Sequence, residues 1–138
     1  MTNINAFGTK LRRGSATGTA VAQVTGISIG LSADTIDVTS HDSTGGWREY
    51  LGGLKDGGEV TLDLNFDPVG ATHDDVTGGL LDDFASGTSV SWVVTFSDAA
   101  TSTWAFSAIP VGFELDAPID DKLTASATLK ITGVVTLT

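Results

Sequence analysis

LTASATLKITGVVTL, residues 123–137, is the stretch whose pattern decides the fold. Leu123, Ala125, Ala127, Leu129, Ile131, Val135 and Leu137 fall on alternate positions, set against Thr124, Ser126, Thr128, Lys130, Thr132 and Thr136, and only Val134 breaks the polar row. Successive side chains of a strand point to opposite faces, so the pattern predicts one long strand with a dry side and a wet side. At about 3.3 Å per residue it would reach roughly 50 Å, beyond the usual strand, and is expected to bend between two sheets.

The same alternation recurs upstream. In residues 59–67, Val60, Leu62, Leu64 and Phe66 oppose Glu59, Thr61, Asp63, Asn65 and Asp67, and Pro68 ends the run. Residues 90–97 carry Trp92, Val94 and Phe96, residues 103–113 carry Trp104 and Phe106, and the short polar turn between them predicts a hairpin with both tryptophans in the core. Residues 19–31 and 34–39 supply two earlier strands, the second alternating Ile36 and Val38 with Thr35, Asp37 and Thr39. One helix is expected over residues 72–86, capped by Thr72, with Asp74 and Asp75 at its positive end, Gly87 at its exit, and a stripe of Val76, Leu80, Leu81 and Phe84. The predicted class is all-β, a β-sandwich or barrel with one α-helix across an open end.

Residues 1–18 hold Gly8, Gly14 and Gly18 without sustained periodicity and read as an N-terminal arm, leaving residues 19–138 as a single domain. Residues 40–58, SHDSTGGWREYLGGLKDGG, show neither period and are expected to form a long loop. Trp47 in that loop, beside Tyr50 and Leu51, must fold under the loop or bury itself against a partner, and the partner is favoured.

Seventeen acids against 7 bases give a net charge of minus 10, which argues against tight binding to a nucleic-acid duplex. Lys10, Arg12 and Arg13 precede every acid, so a basic arm leads into an acidic body. There is no cysteine, hence no disulfide and no thiolate metal site. No signal segment and no apolar run of about 20 residues is present, so no membrane partner is expected and the chain reads as a soluble cytoplasmic product.

His41 beside Asp42, and His73 beside Asp74 and Asp75, lack a second ligand at metal spacing and read as solvated polar residues. The Asp-rich turns lack the ligand spacing of a calcium loop, and no Gly-x-Ser-x-Gly elbow occurs. No enzyme activity, cofactor or metal is expected. The glycine pairs at 45–46, 52–53 and 57–58 are not a phosphate fingerprint and instead let a long loop fold back.

The order of these elements, with the phrases IDVTSHDSTGGWREYLGGLKDGGEVTLDLNFDP, LLDDFASGTSVSWVVTF and DAPIDDKLTASATLKITG, resembles the major tail tube proteins of long-tailed bacteriophages and related gene transfer agents. The resemblance implies a tail-tube β-sandwich that closes into hexameric rings. Each subunit would lend strands to an inner barrel of about 24, enough for an open lumen. It implies self-association, contacts with tape measure, tail tip and terminator proteins, DNA as a passing cargo, and a place in the virion tail after assembly in the bacterial cytoplasm. Asp37, Glu59, Asp63 and Asp67 are the residues expected to face the lumen, with the outer surface as the competing location, since periodicity identifies a polar face and not where it points. Lys10, Arg12, Arg13, Trp47, Arg48, Tyr50 and Leu51 are expected to touch neighbouring subunits. Two rivals are a virion-decorating or adhesin-like β-sandwich and the tube subunit of a contractile protein-export system.

Overall fold

A computed structural model describes residues 3–75, 78–98 and 102–138. Among these residues eight strands run in the order β1 (Lys10–Arg13), β2 (Val24–Ile29), β3 (Ser32–Asp37), β4 (Tyr50–Asp56), β5 (Glu59–Asn65), β6 (Val90–Thr95), β7 (Thr103–Asp116) and β8 (Thr124–Leu137). Helix α1 (Leu80–Ser86) lies between β5 and β6. Among the described residues six strands form one antiparallel sheet in the order β1-β6-β7-β8-β5-β2, while β3 and β4 pair only with each other.

The sheet curls on itself. Arg12 bridges Ala20, the Arg13 N–H donates to the Thr19 carbonyl, and the Val21 N–H donates to that of Leu11, so the edge strand β1 is met by the segment leading into β2. The curl brings Leu11, Val60, Leu62, Leu64, Trp92, Val94, Phe106, Ala108, Ala127, Leu129 and Ile131 into one core. Every second residue of β5 and of the first half of β8 points into it, as alternation requires. Near its end β8 carries extra residues opposite β7 around Gly133, whose φ is +82°, a glycine bulge of the kind that bends a strand. Past that point its residues are mostly exposed.

Four local expectations change. The arm contains a sheet strand: Leu11 is fully buried and residues 10–13 pair with β6, because one apolar side chain between basic neighbours suffices to seat a short edge strand. The expected loop 40–58 contains β4, which with β3 builds a hairpin whose strand positions are all exposed except the half-buried Gly53. The helix begins at Leu80 and not at Thr72. Gly78 has φ +101° and Gly79 is extended, so the backbone leaves the helical path there, and the Thr72 hydroxyl accepts the Ala22 N–H instead of capping. Val76, expected on the helical stripe, lies outside the described residues. Gly87 closes the helix at φ +66°, its N–H bonded to the Asp83 carbonyl, as its position predicted.

His73 is the fourth. It is 1% exposed and stacks on Phe66, with ring centroids 6.0 Å apart. The Asp67 N–H donates to its Nδ1, so Nε2 carries the proton and donates to the Ala22 carbonyl at 2.6 Å. Its role is to tie the segment before β2 to the segment after β5.

Candidate assembly surface

The face of the sheet turned away from the core is a mosaic of hydroxyls and carboxylates. On β5 it presents Glu59, Thr61, Asp63 and Asn65, directly opposite Lys130, Thr128, Ser126 and Thr124 of β8. On β7, Gly112, Glu114 and Asp116 pair with Thr128, Ser126 and Thr124, and on β2, Ser28 and Gly26 pair with Thr61 and Asp63. Helix α1 lies on the other side, with Leu80 in the core. Among the described residues this face therefore holds Glu59, Asp63, Glu114 and Asp116 with Lys130, and Lys122 borders the end near Asp63, Glu114 and Asp116.

Of the four acids singled out in the sequence, the structure brings only Glu59 and Asp63 together. Asp37 lies on the separate hairpin, because β3 pairs with β4 and, among the described residues, not with β5. Asp67 follows the end of β5, where its carboxylate accepts the Val69 N–H in a local turn. Glu114 and Asp116 were missed, although they alternate with Phe113 and Leu115 and so carried a legible strand signal.

The two borders of this face are open. β6 pairs with β7 only up to Ala108, so among the described residues the later part of β7 has β8 as its one strand partner. β2 likewise pairs only with β5 among the described residues. Pro110, which lacks an N–H, sits on the β7 border, where such a residue is tolerated.

The basic cluster divides by role. Lys10 is exposed. Arg12 donates to the Gly18 carbonyl at 3.0 Å. Arg13 pairs with Asp83 at 2.5 Å and lies over the Trp92 ring, 5.9 Å from its centroid, so its charge is used inside the protomer. Asp83 is 3% exposed, and burial pushes its carboxyl above 3.8 even against the opposing pull of Arg13.

On the hairpin, Ile36 stands opposite Leu51, both more than half exposed, and Trp47 (77%) and Leu54 (84%) are barely covered. Arg48 meets Asp37 at 3.1 Å. Thr39, through its hydroxyl and its amide, holds the Asp37 carboxyl below 3.8, with Arg48 assisting. At the hairpin base the Gly58 N–H and the Lys130 charge lower Asp56 in the same way.

Residues 4–105 match the family model described as phage tail tube, TTP, lambda-like. The fold is similar to a chain of the native gene transfer agent virion, at 18% identity and a TM-score of 0.78 with 99% of each chain covered. A chain from the tail of an empty gene transfer agent particle with C6 symmetry gives 19%, 0.79 and the same coverage. The sheath-tube complex of an extracellular contractile injection system gives 17% and 0.70, over 99% of this chain and 91% of the other. No curated protein sequence matches the chain. With well over half its length under that family model and its curled sheet shared with tail and tube structures, the chain belongs to the phage tail tube family.

Proposed function

We propose that six copies of this structural, non-enzymatic subunit close into a ring, that rings stack into a tail tube, and that DNA passes through a lumen lined by the hydroxyl and carboxylate face. The observation that carries this is the pairing of a polar, core-averted face with two open strand borders. Unpaired edges are templates for further strands, and a ring of edge-to-edge contacts leaves none unpaired. Strands β7, β8, β5 and β2 from six copies make a barrel of about 24 strands, wider than the 16 to 18 that already enclose an aqueous channel. The sixfold symmetry of the similar gene transfer agent tail supports that number.

Glu59, Asp63, Glu114 and Asp116 then give each ring a repeated acidic lining. Fixed negative charge denies the phosphates the counterion-releasing contacts that would hold DNA in place. Lys10 and Arg12, together with Trp47, Arg48, Tyr50 and Leu51 of the hairpin, are assigned to contacts between subunits, and tape measure, tail tip and terminator proteins are the expected partners in the virion tail, after assembly in the host cytoplasm.

The test is electron cryomicroscopy of tubes from the purified chain, paired with the charge reversals Glu59→Lys and Asp63→Lys. Hexameric rings are expected with both positions in the lumen, and the double variant is expected to form tubes that retain DNA where the parent does not. Tubes with Glu59 and Asp63 on their outer wall would refute the lumen assignment.

A further inference from the structure

The β3–β4 hairpin leaves the sheet through two short links, Gly30 and Leu31 after β2, and Gly57 and Gly58 before β5. Both are closely packed. A Cβ at Gly57 would run into the Ile131 side chain, and one at Gly58, whose φ is +68°, into the Gly30 carbonyl. The Gly58 carbonyl accepts the Ile131 N–H at 3.0 Å, and Asp56, the last residue of β4, stands opposite Ser32, the first of β3. The root of the hairpin therefore fits one length of backbone.

Asp56 and Gly57 form the one Asp–Gly dipeptide of the sequence, and no Asn–Gly occurs. The Asp56 side chain is 57% exposed, so water reaches it. Its Oδ1 accepts the Gly58 N–H at 2.8 Å in a turn that spans Gly57, and Lys130 Nζ stands 3.7 Å from Oδ2. A carboxyl carbon beside the next backbone nitrogen is open to attack by it, and glycine at that place puts no Cβ in the way.

We propose that Asp56–Gly57 is a site of spontaneous aspartyl isomerisation. The Gly57 nitrogen bonds to Asp56 Cγ and gives its proton to solvent, the protonated carboxyl loses its hydroxyl as water, and a succinimide ring closes. Water then adds to either ring carbonyl. Addition at the former main-chain carbonyl breaks its bond to the Gly57 nitrogen, which takes up a proton, and the chain now runs through Cβ and Cγ of residue 56. One water is lost and one regained, so the product keeps its mass and adds one atom to the backbone.

The Gly58 N–H and the Lys130 charge restrain the first step. Both hold the carboxyl below 3.8, and the ring closes from the protonated acid, so they keep the reactive form scarce at neutral pH. The consequence of isomerisation is mechanical. One link of the hairpin lengthens while Gly30 and Leu31 do not, so the pairing of Ser32 with residue 56 and the close contacts of Gly57 and Gly58 cannot all survive.

The test incubates the full chain at neutral pH in heavy-oxygen water. Uptake of label is mapped by fragment mass spectrometry, and the β-linked product is read by methyl transfer from an isoaspartyl carboxyl methyltransferase. Label is expected at Asp56 ahead of Asp42, which is also exposed and precedes Ser43. Label at other aspartates with none at Asp56 overturns the proposal. Lys130→Gln should raise the rate roughly twofold, the scale of an exposed ion pair, and a rate at or below the parent's overturns the restraint. Asp56→Glu, whose longer side chain closes a less favoured ring, should remove the methyl acceptance, and full retention would place the reaction elsewhere and overturn the assignment. The isomerised chain, separated by ion exchange, is expected to lose amide-exchange protection at residues 30–33 and 55–59 while β8 keeps its own. Exchange identical to the parent's at the hairpin root overturns the mechanical consequence.

Discussion

Strands β8 and β3 carry the same alternation of apolar and polar residues, yet one builds the core and the other meets solvent on every side chain. In β8 the apolar row of Ala125, Ala127, Leu129 and Ile131 is buried because β5 and β7 flank it and the curled sheet closes over that face. In β3 the row that holds Ile36, with Val38 just past the strand end, has only β4 beside it among the described residues, and two strands have no second layer to bury against. Alternation thus reports that a strand has a dry face, whereas the layer that covers the face can belong to another molecule.

The sharpest way to break this comparison is to truncate both rows. Leu129→Ala and Leu62→Ala, at fully buried positions, should each cost about 3 kcal/mol in urea unfolding of the monomer. Ile36→Ser and Leu51→Ser should change monomer stability by less than about 0.5 kcal/mol, while lowering the yield of tubes. Equal losses of monomer stability at both sites would show that the hairpin is part of the protomer core.

A second comparison sets Arg13 against its neighbour Lys10. Arg13→Ala strands the buried Asp83 carboxylate and should cost about 3 kcal/mol, whereas Lys10→Ala, at an exposed position, should leave unfolding unchanged. Charge reversal at Arg13 is therefore a test of folding, and charge reversal at Lys10 a test of assembly. His73→Ala, which removes two buried hydrogen bonds of about 1 kcal/mol each, should lower stability by about 2 kcal/mol, with loosening of residues 20–23 visible by hydrogen exchange.

The smallest expected effect is a pH dependence of opposite sign in the two regions. The raised Asp83 carboxyl binds its proton more tightly folded than unfolded, so its contribution is fully present below 3.8 and is lost as pH rises through the folded value. Asp37 and Asp56 are lowered, so their contributions are present above 3.8 and are lost as pH falls through their folded values. Unfolding curves between pH 2 and 7 should therefore be flatter on the high side for Asp83→Asn and flatter on the low side for Asp37→Asn.

Several features were legible because they depend on neighbours in the chain. The strands at 59–65 and 124–137, the hairpin of 90–95 with 103–116, the buried Trp92 and the Gly87 helix exit all follow from period and local conformational preference. The helix start was misplaced because the Gly78 and Gly79 conformations count for more than the apolar stripe. His73 was misjudged because its partners, Ala22 and Phe66, are brought to it only by the folded chain.

The candidate site divides in the same way. Glu59 and Asp63 could be read as one face of one strand, but their company could not. Ser126 and Glu114 join them across three strands, while Asp37, which carries the same pattern, is taken away by its pairing with β4. By itself the sequence determined which residues share a face, since that follows from a period of two along a single strand. Only the tertiary structure decided which strands lie side by side, which faces are covered and which borders stay open, because those depend on hydrogen-bonded register between segments far apart in the chain.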